Sequence, residues 1–148
     1  MSELQNSILE LIRRTSAEIP DDVNQSILAS LEQEKKGTIA ESALKIIDQN
    51  IQLAKTKSQP ICQDTGSILF YVDCPVGFDQ IAFEETAKEA VKLATKKGYL
   101  RQNSVDSLTG VNDGTNVGPG APFTNALSIS PAFAALVRLK NSTSTEGV

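Results

Sequence analysis

An α+β fold is expected for this chain: a helical N-terminal half, then a small sheet with a long packed helix. Three features of the sequence predict it. Apolar residues recur at helical spacing through the first sixty positions; a short β-branched and aromatic run follows; a second long amphipathic stretch comes after that.

Leu4, Ile8, Leu11 and Ile12 repeat every three or four residues, so the chain opens on an amphipathic helix. Pro20 breaks it, and Asp21–Asp22 are placed to cap the next helix, whose buried face is expected to carry Val23, Ile27, Leu28 and Leu31. Gly37 ends that helix. Thr38 with Glu41 three positions later has the spacing of a capping box, because a threonine hydroxyl and a glutamate carboxylate each satisfy an amide of a helix's first turn. A third helix follows, with Ile39, Ala43, Ile46, Ile47, Ile51 and Ala54 on its apolar side, and Pro60 closes the helical section.

Cys62–Gln63–Asp64–Thr65–Gly66 then reads as a short polar loop. Ser67 to Asp73 is apolar, β-branched and aromatic, which predicts a mostly buried strand. Pro75 and Gly77 turn the chain into a long helix from about Gln80 to Lys97, with Ile81, Phe83, Ala87, Ala90, Val91 and Ala94 as its apolar positions and Gly98 at its end. From Arg101 the sequence loses periodicity and becomes rich in asparagine and glycine, the composition of a functional loop. An apolar patch, Ala132 to Leu139, precedes a Ser/Thr-rich end, and the chain shows no internal repeat.

The 148 residues suffice for one core, and 14 basic against 18 acidic side chains leave a net charge of −4. A mildly acidic chain without a basic stripe argues against nucleic acid as a partner. No apolar stretch approaches membrane-spanning length and the first residues are polar, so no membrane partner and a cytoplasmic location are expected. The two cysteines, Cys62 and Cys74, are too few for a disulfide framework and have no common zinc spacing. The absence of histidine excludes Ser–His–Asp and Cys–His catalysis by this chain alone.

Taken by itself, Cys62 has the bland reading of a small buried hydrophobe. Its neighbours supply the other one: a thiolate is a soft ligand for iron–sulfur clusters, Gln63 and Asp64 place an amide and a carboxylate beside it, and Gly66 lets the backbone turn closely. Cys74, before Pro75, reads as structural.

The string Pro60–Ile61–Cys62–Gln63–Asp64–Thr65–Gly66, after helices and before an apolar strand, resembles the signature of the class I fumarase and L(+)-tartrate dehydratase α region. A second block agrees in order and type. Leu100–Arg101–Gln102–Asn103–Ser104–Val105–Asp106, followed by Asn112 and the run Asn116 to Pro122, is similar to that family's Arg-x-Asn-x-Val-Asp segment and its Asn/Gly-rich loop, and Pro20–Asp22 also fits. The resemblance runs from about Leu4 to Pro122. It divides the chain into residues 1–122, the N-terminal part of an α-type catalytic domain, and 123–148, a divergent tail that looks truncated or altered.

What the resemblance implies is a hydro-lyase interconverting fumarate and L-malate, or dehydrating tartrate to oxaloacetate, with a 4Fe–4S cluster held by three cysteines. Cys62 would be one cluster ligand. Gln63 and Asp64 would contact the small dicarboxylate substrate, Asp64 as the catalytic group, and Arg101 would grip a substrate carboxylate. The two further cysteines and the family's histidine are not in this sequence, so the chain is expected to be inactive alone, to need a β subunit or C-terminal region, and to self-associate. The alternative is a non-catalytic remnant or interaction subunit of the same fold. Each site residue also has a plain reading: Gln63 and Asp64 as turn residues, Arg101 as a solvated charge, and Asn103, Asn112 and Asn116 as turn chemistry.

Overall fold

A computed structural model describes residues 2–62, 68–102, 104–106 and 108–118, together with the backbone of 124–129 and 136–141. Its elements are α1 (Glu3–Ala17), α2 (Asp21–Gln33), α3 (Ile39–Lys57), β1 (Ile68–Cys74), α4 (Gln80–Lys96), β2 (Thr124–Ile129) and β3 (Leu136–Asn141). The helical N-terminal half is as the periodicity predicts.

α1 starts where Ser2 accepts a hydrogen bond from the Gln5 amide, and its buried face is Ile8, Ile12 and Ala17. It ends at Ala17, before Pro20. That proline is the N-cap of α2 and offers no side-chain bond, so Asp21 and Asp22 lie inside the first turn. There they act on the helix dipole as charges and do not cap, contrary to expectation. Thr38 does cap α3: its hydroxyl accepts from the Glu41 amide at 3.1 Å. The reciprocal half of the box falls one residue earlier, with the Glu41 carboxylate accepting from the Gly37 amide at 2.6 Å.

Burial overturns the expected faces of α2 and α3. α2 has no buried residue, and Val23 and Leu28 are exposed. On α3 only Ile51 and Ala54 are buried, while Ile39, Ile46 and Ile47 are exposed. Periodicity finds the apolar stripe, but burial depends on what lies opposite, and α2 and α3 pack chiefly on each other with α3 touching α1.

The core gathers around β1 and α4. Along β1 the side chains alternate, with Phe70, Val72 and Cys74 buried and Tyr71 exposed, as a pleated strand with one covered face requires. Phe70 meets Phe83 of α4 edge to face, ring centroids 6.2 Å apart, and Phe78 lies 5.8 Å from Phe83. Ala87, Ala90 and Ala94 are fully buried on α4 with Val91, and Ile8 and Ile12 of α1 close the same cluster. The small alanines let α1 come close to α4. Ile81, expected inside, sits in the first turn of α4 and is 78% exposed. β1 pairs parallel with β2, Leu69 opposite Thr124, and antiparallel with β3, Ile68 opposite Asn141, in the order β2-β1-β3.

α4 ends as read, with the Gly98 amide on the Thr95 carbonyl, the Tyr99 amide on the Ala94 carbonyl, and Gly98 at a φ of 78°. That left-handed turn buries Leu100 in the core and delivers the chain to Arg101.

Candidate functional site

Three separate elements hold the peptide that leads into the cysteine loop. The Ile61 amide donates to the Ser16 carbonyl at the end of α1 at 3.0 Å. Asn50 of α3 donates from Nδ2 to the Ile61 carbonyl at 2.9 Å. Arg101, beyond α4, donates from Nε to the Cys62 carbonyl at 3.1 Å. The α1–α3 seam beneath them is tied by Arg13, which bridges Glu10 at 2.7 Å and Glu18 at 2.9 Å and reaches the Ser58 hydroxyl at 3.4 Å. The Arg13 bond holds the Glu10 carboxyl below its usual range.

Cys62 is exposed and Cys74 is buried. The bland reading of Cys62 as a buried hydrophobe is therefore wrong, whereas Cys74 is structural as expected. An exposed thiol at the mouth of a loop can act as a soft ligand, and one inside β1 cannot. Gln63 and Asp64 lie outside the described residues, as does Asn103. Among the described residues no three His, Cys, Asp or Glu side chains converge as a metal site.

Arg101 sits at the head of a loop built from its own side chains. Asp106 Oδ1 accepts from the amides of Leu108 and Thr109, at 3.0 and 2.7 Å, and from the Thr109 hydroxyl at 2.9 Å. The Thr109 amide, then its hydroxyl and the Leu108 amide, hold the Asp106 carboxyl below the ordinary carboxylate range. Asp113 repeats the device. Its Oδ1 takes the Thr115 amide at 2.9 Å and hydroxyl at 2.8 Å, which lower its pKa too. A Cβ at Gly118 would collide with the Asp113 carboxylate, so glycine there permits a close approach. Asn112 bridges the Gln102 carbonyl at 2.7 Å and the Gly114 amide at 2.7 Å.

Of the residues singled out in the sequence, the fold brings Cys62 and Arg101 together, with Asn116 bonding the Arg101 carbonyl and Asn112 the Gln102 carbonyl beside it. Asn50 escaped the sequence reading. It stands mid-helix on α3, and no local spacing links it to Ile61; its only signal is a short polar amide on an otherwise apolar stripe with Ile46, Ile47 and Leu53.

The family model described as fumarate hydratase (Fumerase) matches residues 5–130. A protein of Geobacillus stearothermophilus named as a class I fumarate hydratase is 48% identical over 122 residues, which are 82% of this chain and 24% of that protein. The L(+)-tartrate dehydratase subunit alpha of Escherichia coli strain K12 is 31% identical over 124 residues, covering 83% of this chain and 41% of that subunit. A Methanocaldococcus jannaschii protein named as the same subunit is 32% identical over 126 residues, covering 83% of this chain and 44% of its own length. The chain thus spans from about a quarter to under half of these relatives.

Proposed function

The chain belongs to the fumarate hydratase (Fumerase) family of hydro-lyases, and on that premise we propose that it is the N-terminal part of an iron–sulfur hydro-lyase acting on a small dicarboxylate. Hydration of fumarate to L-malate is the first reading, since the class I fumarate hydratase relative shares the higher identity, and dehydration of tartrate to oxaloacetate is the second. Residues 1–122 form the opening of the α-type catalytic domain, read as α+β around β1. Residues 123–148 are a divergent stretch into which the family match reaches.

The observation that supports this reading is the bond from Arg101 Nε to the Cys62 carbonyl. It joins the two blocks that carry the family resemblance at one point in space. The exposed thiol of Cys62 fits one corner of a 4Fe–4S cluster. The chain has two cysteines and no histidine, and Cys74 is buried, so the remaining ligands come from outside it and the chain alone is inactive. When bound, the cluster supplies an open iron that acts as a Lewis acid toward a hydroxyl group.

The chain's own residues do the rest of the binding work. A guanidinium has five N–H donors, and the Cys62 carbonyl takes the one on Nε. The Nη edge is the part that grips a carboxylate in two parallel bonds. Loss of a proton next to a carboxylate accumulates negative charge, so a fixed cation there lowers the barrier. Gln63 orients the substrate, and Asp64 holds the hydroxyl or moves the proton. A β subunit or C-terminal region completes the site, and exposed Ile39, Ile46 and Leu53 favour self-association where nothing else covers them.

Anaerobic reconstitution with iron and sulfide tests the proposal. Hydratase activity should appear only when the family's C-terminal portion is added, and it should vanish in Cys62→Ala. Undiminished activity in the complemented Cys62→Ala protein would rule the reading out and leave the non-catalytic alternative.

A further inference from the structure

Asn116 is only 9% exposed, in a loop that is otherwise largely open. Its φ is 58°, a left-handed conformation that asparagine tolerates better than most side chains. From there its amide spans three pieces of chain. Nδ2 donates to the Thr95 hydroxyl at 3.1 Å and to the Arg101 carbonyl at 2.6 Å, while Oδ1 accepts from the Ser104 amide at 3.3 Å. Thr95 is itself buried in the last turn of α4 and donates to the Val91 carbonyl at 2.9 Å. The amide therefore ties the Arg101 carbonyl and the Ser104 amide to a helix that is part of the core.

The chemistry selects this side chain. The site asks for two donors and one acceptor on a short planar group, and a primary amide has them. Aspartate could accept from Ser104 but has no proton for the Arg101 carbonyl. Glycine accepts the backbone conformation but bonds to nothing.

We propose that Asn116 is the positioning residue for Arg101: by fixing the Arg101 carbonyl and the Ser104 amide to α4, it aims the guanidinium at the Cys62 carbonyl. The amide is buried and makes its hydrogen bonds to Thr95, Arg101 and Ser104, so it acts through Arg101. The inference rests on Arg101 as the carboxylate-binding group of the proposed function. A long side chain magnifies a small error at its own peptide, so a shift of the Arg101 backbone loosens the grip of its guanidinium on a carboxylate.

The test is made on the 148-residue chain and on the complemented enzyme, using Asn116→Asp and Asn116→Gly, both of which accept a positive φ. In the chain, the core resonances of Phe70, Val72 and Val91 should stay in place. The Arg101 Nε–H resonance should shift, and its exchange with water should quicken by about tenfold or more as the bond to Cys62 is lost. In the complemented enzyme, KM for fumarate or tartrate should rise about tenfold, with a smaller change in kcat, as expected when substrate binding is loosened. An Arg101 Nε–H signal that keeps its wild-type position and exchange rate in both variants overturns the proposal. If both variants fail to fold, Thr95→Val against Thr95→Ser decides it, since valine removes the anchor and must move the Arg101 signal, whereas serine must not. Arg101→Gln separates the two levels of argument. An unchanged KM in that variant sinks the carboxylate role, while the Nε signal still decides whether Asn116 positions Arg101.

Discussion

Arg101 donates from Nε to the Cys62 carbonyl across 39 positions of sequence. Between them, the β1 strand and the whole of α4 are folded so that these two ends meet. The planar fork of arginine lets Nε hold the backbone while both Nη atoms stay aimed at a second group; a lysine ammonium carries its three donors on a single atom and has no fixed fork to keep two partners in place.

Replacing Arg101 with lysine keeps the charge and removes the fork. In the complemented enzyme, KM for the dicarboxylate should rise by roughly tenfold or more, equivalent to about 1.4 kcal/mol or more of binding. Steady-state kinetics under anaerobic conditions provide the measurement, and a wild-type KM would contradict the carboxylate role.

Asn50→Ala removes the bond to the Ile61 carbonyl from an exposed site on α3. Stability should fall by no more than about 0.5–1.5 kcal/mol, since water can replace the amide. The effect should appear instead at Cys62, whose thiol should react with an alkylating reagent several-fold faster, because one of three tethers on its segment is gone. A melting curve and an alkylation time course read the two separately.

Phe83→Ala empties the centre of the core, where Phe83 contacts both Phe70 and Phe78. The expected loss is about 3–5 kcal/mol, a large part of the roughly 5–15 kcal/mol that holds an ordinary domain together. Chemical denaturation should show the midpoint fall sharply, and a small change would mean that β1 and α4 are not packed as described.

Acid should open the Arg101 loop selectively. Asp106 and Asp113 are both held below the ordinary carboxylate range by the hydrogen bonds that Thr109 and Thr115 donate. A depressed pKa contributes stability that is complete above the unfolded-state value and is lost as pH falls through the folded one. Amide protection factors at Thr109, Gly110 and Thr115, taken relative to the intrinsic exchange rate at each pH, should therefore be highest at neutral pH and fall once the pH drops below the usual carboxylate range. In an Asp106→Asn variant that pH dependence should weaken at Thr109 and persist at Thr115.

Much of the helical half was legible because local rules govern it. Thr38 caps α3 where a hydroxyl residue precedes apolar periodicity, and Gly98 ends α4 where a left-handed turn is needed. The buried faces were legible for α1 and α4 and not for α2 and α3. Ile8 and Phe83 have a partner layer to bury against, whereas Ile39 and Ile46 have the same pattern and no layer opposite among the described residues. Periodicity reports which side chains could be buried together, and it is silent on whether anything covers them.

The candidate site divides in the same way. Cys62 and Arg101 were marked by the resemblance of their two sequence blocks to those of a known family, since each residue taken alone also had a plain reading. Only the tertiary structure decided that Cys62 is exposed and Cys74 is not, that Arg101 lies against Cys62, and that Asn50 and Asn116 hold the two segments in place. Those facts depend on which peptide groups α1, α3 and α4 bring within hydrogen-bonding distance, and a bond between residues 39 apart leaves no periodic trace in a sequence.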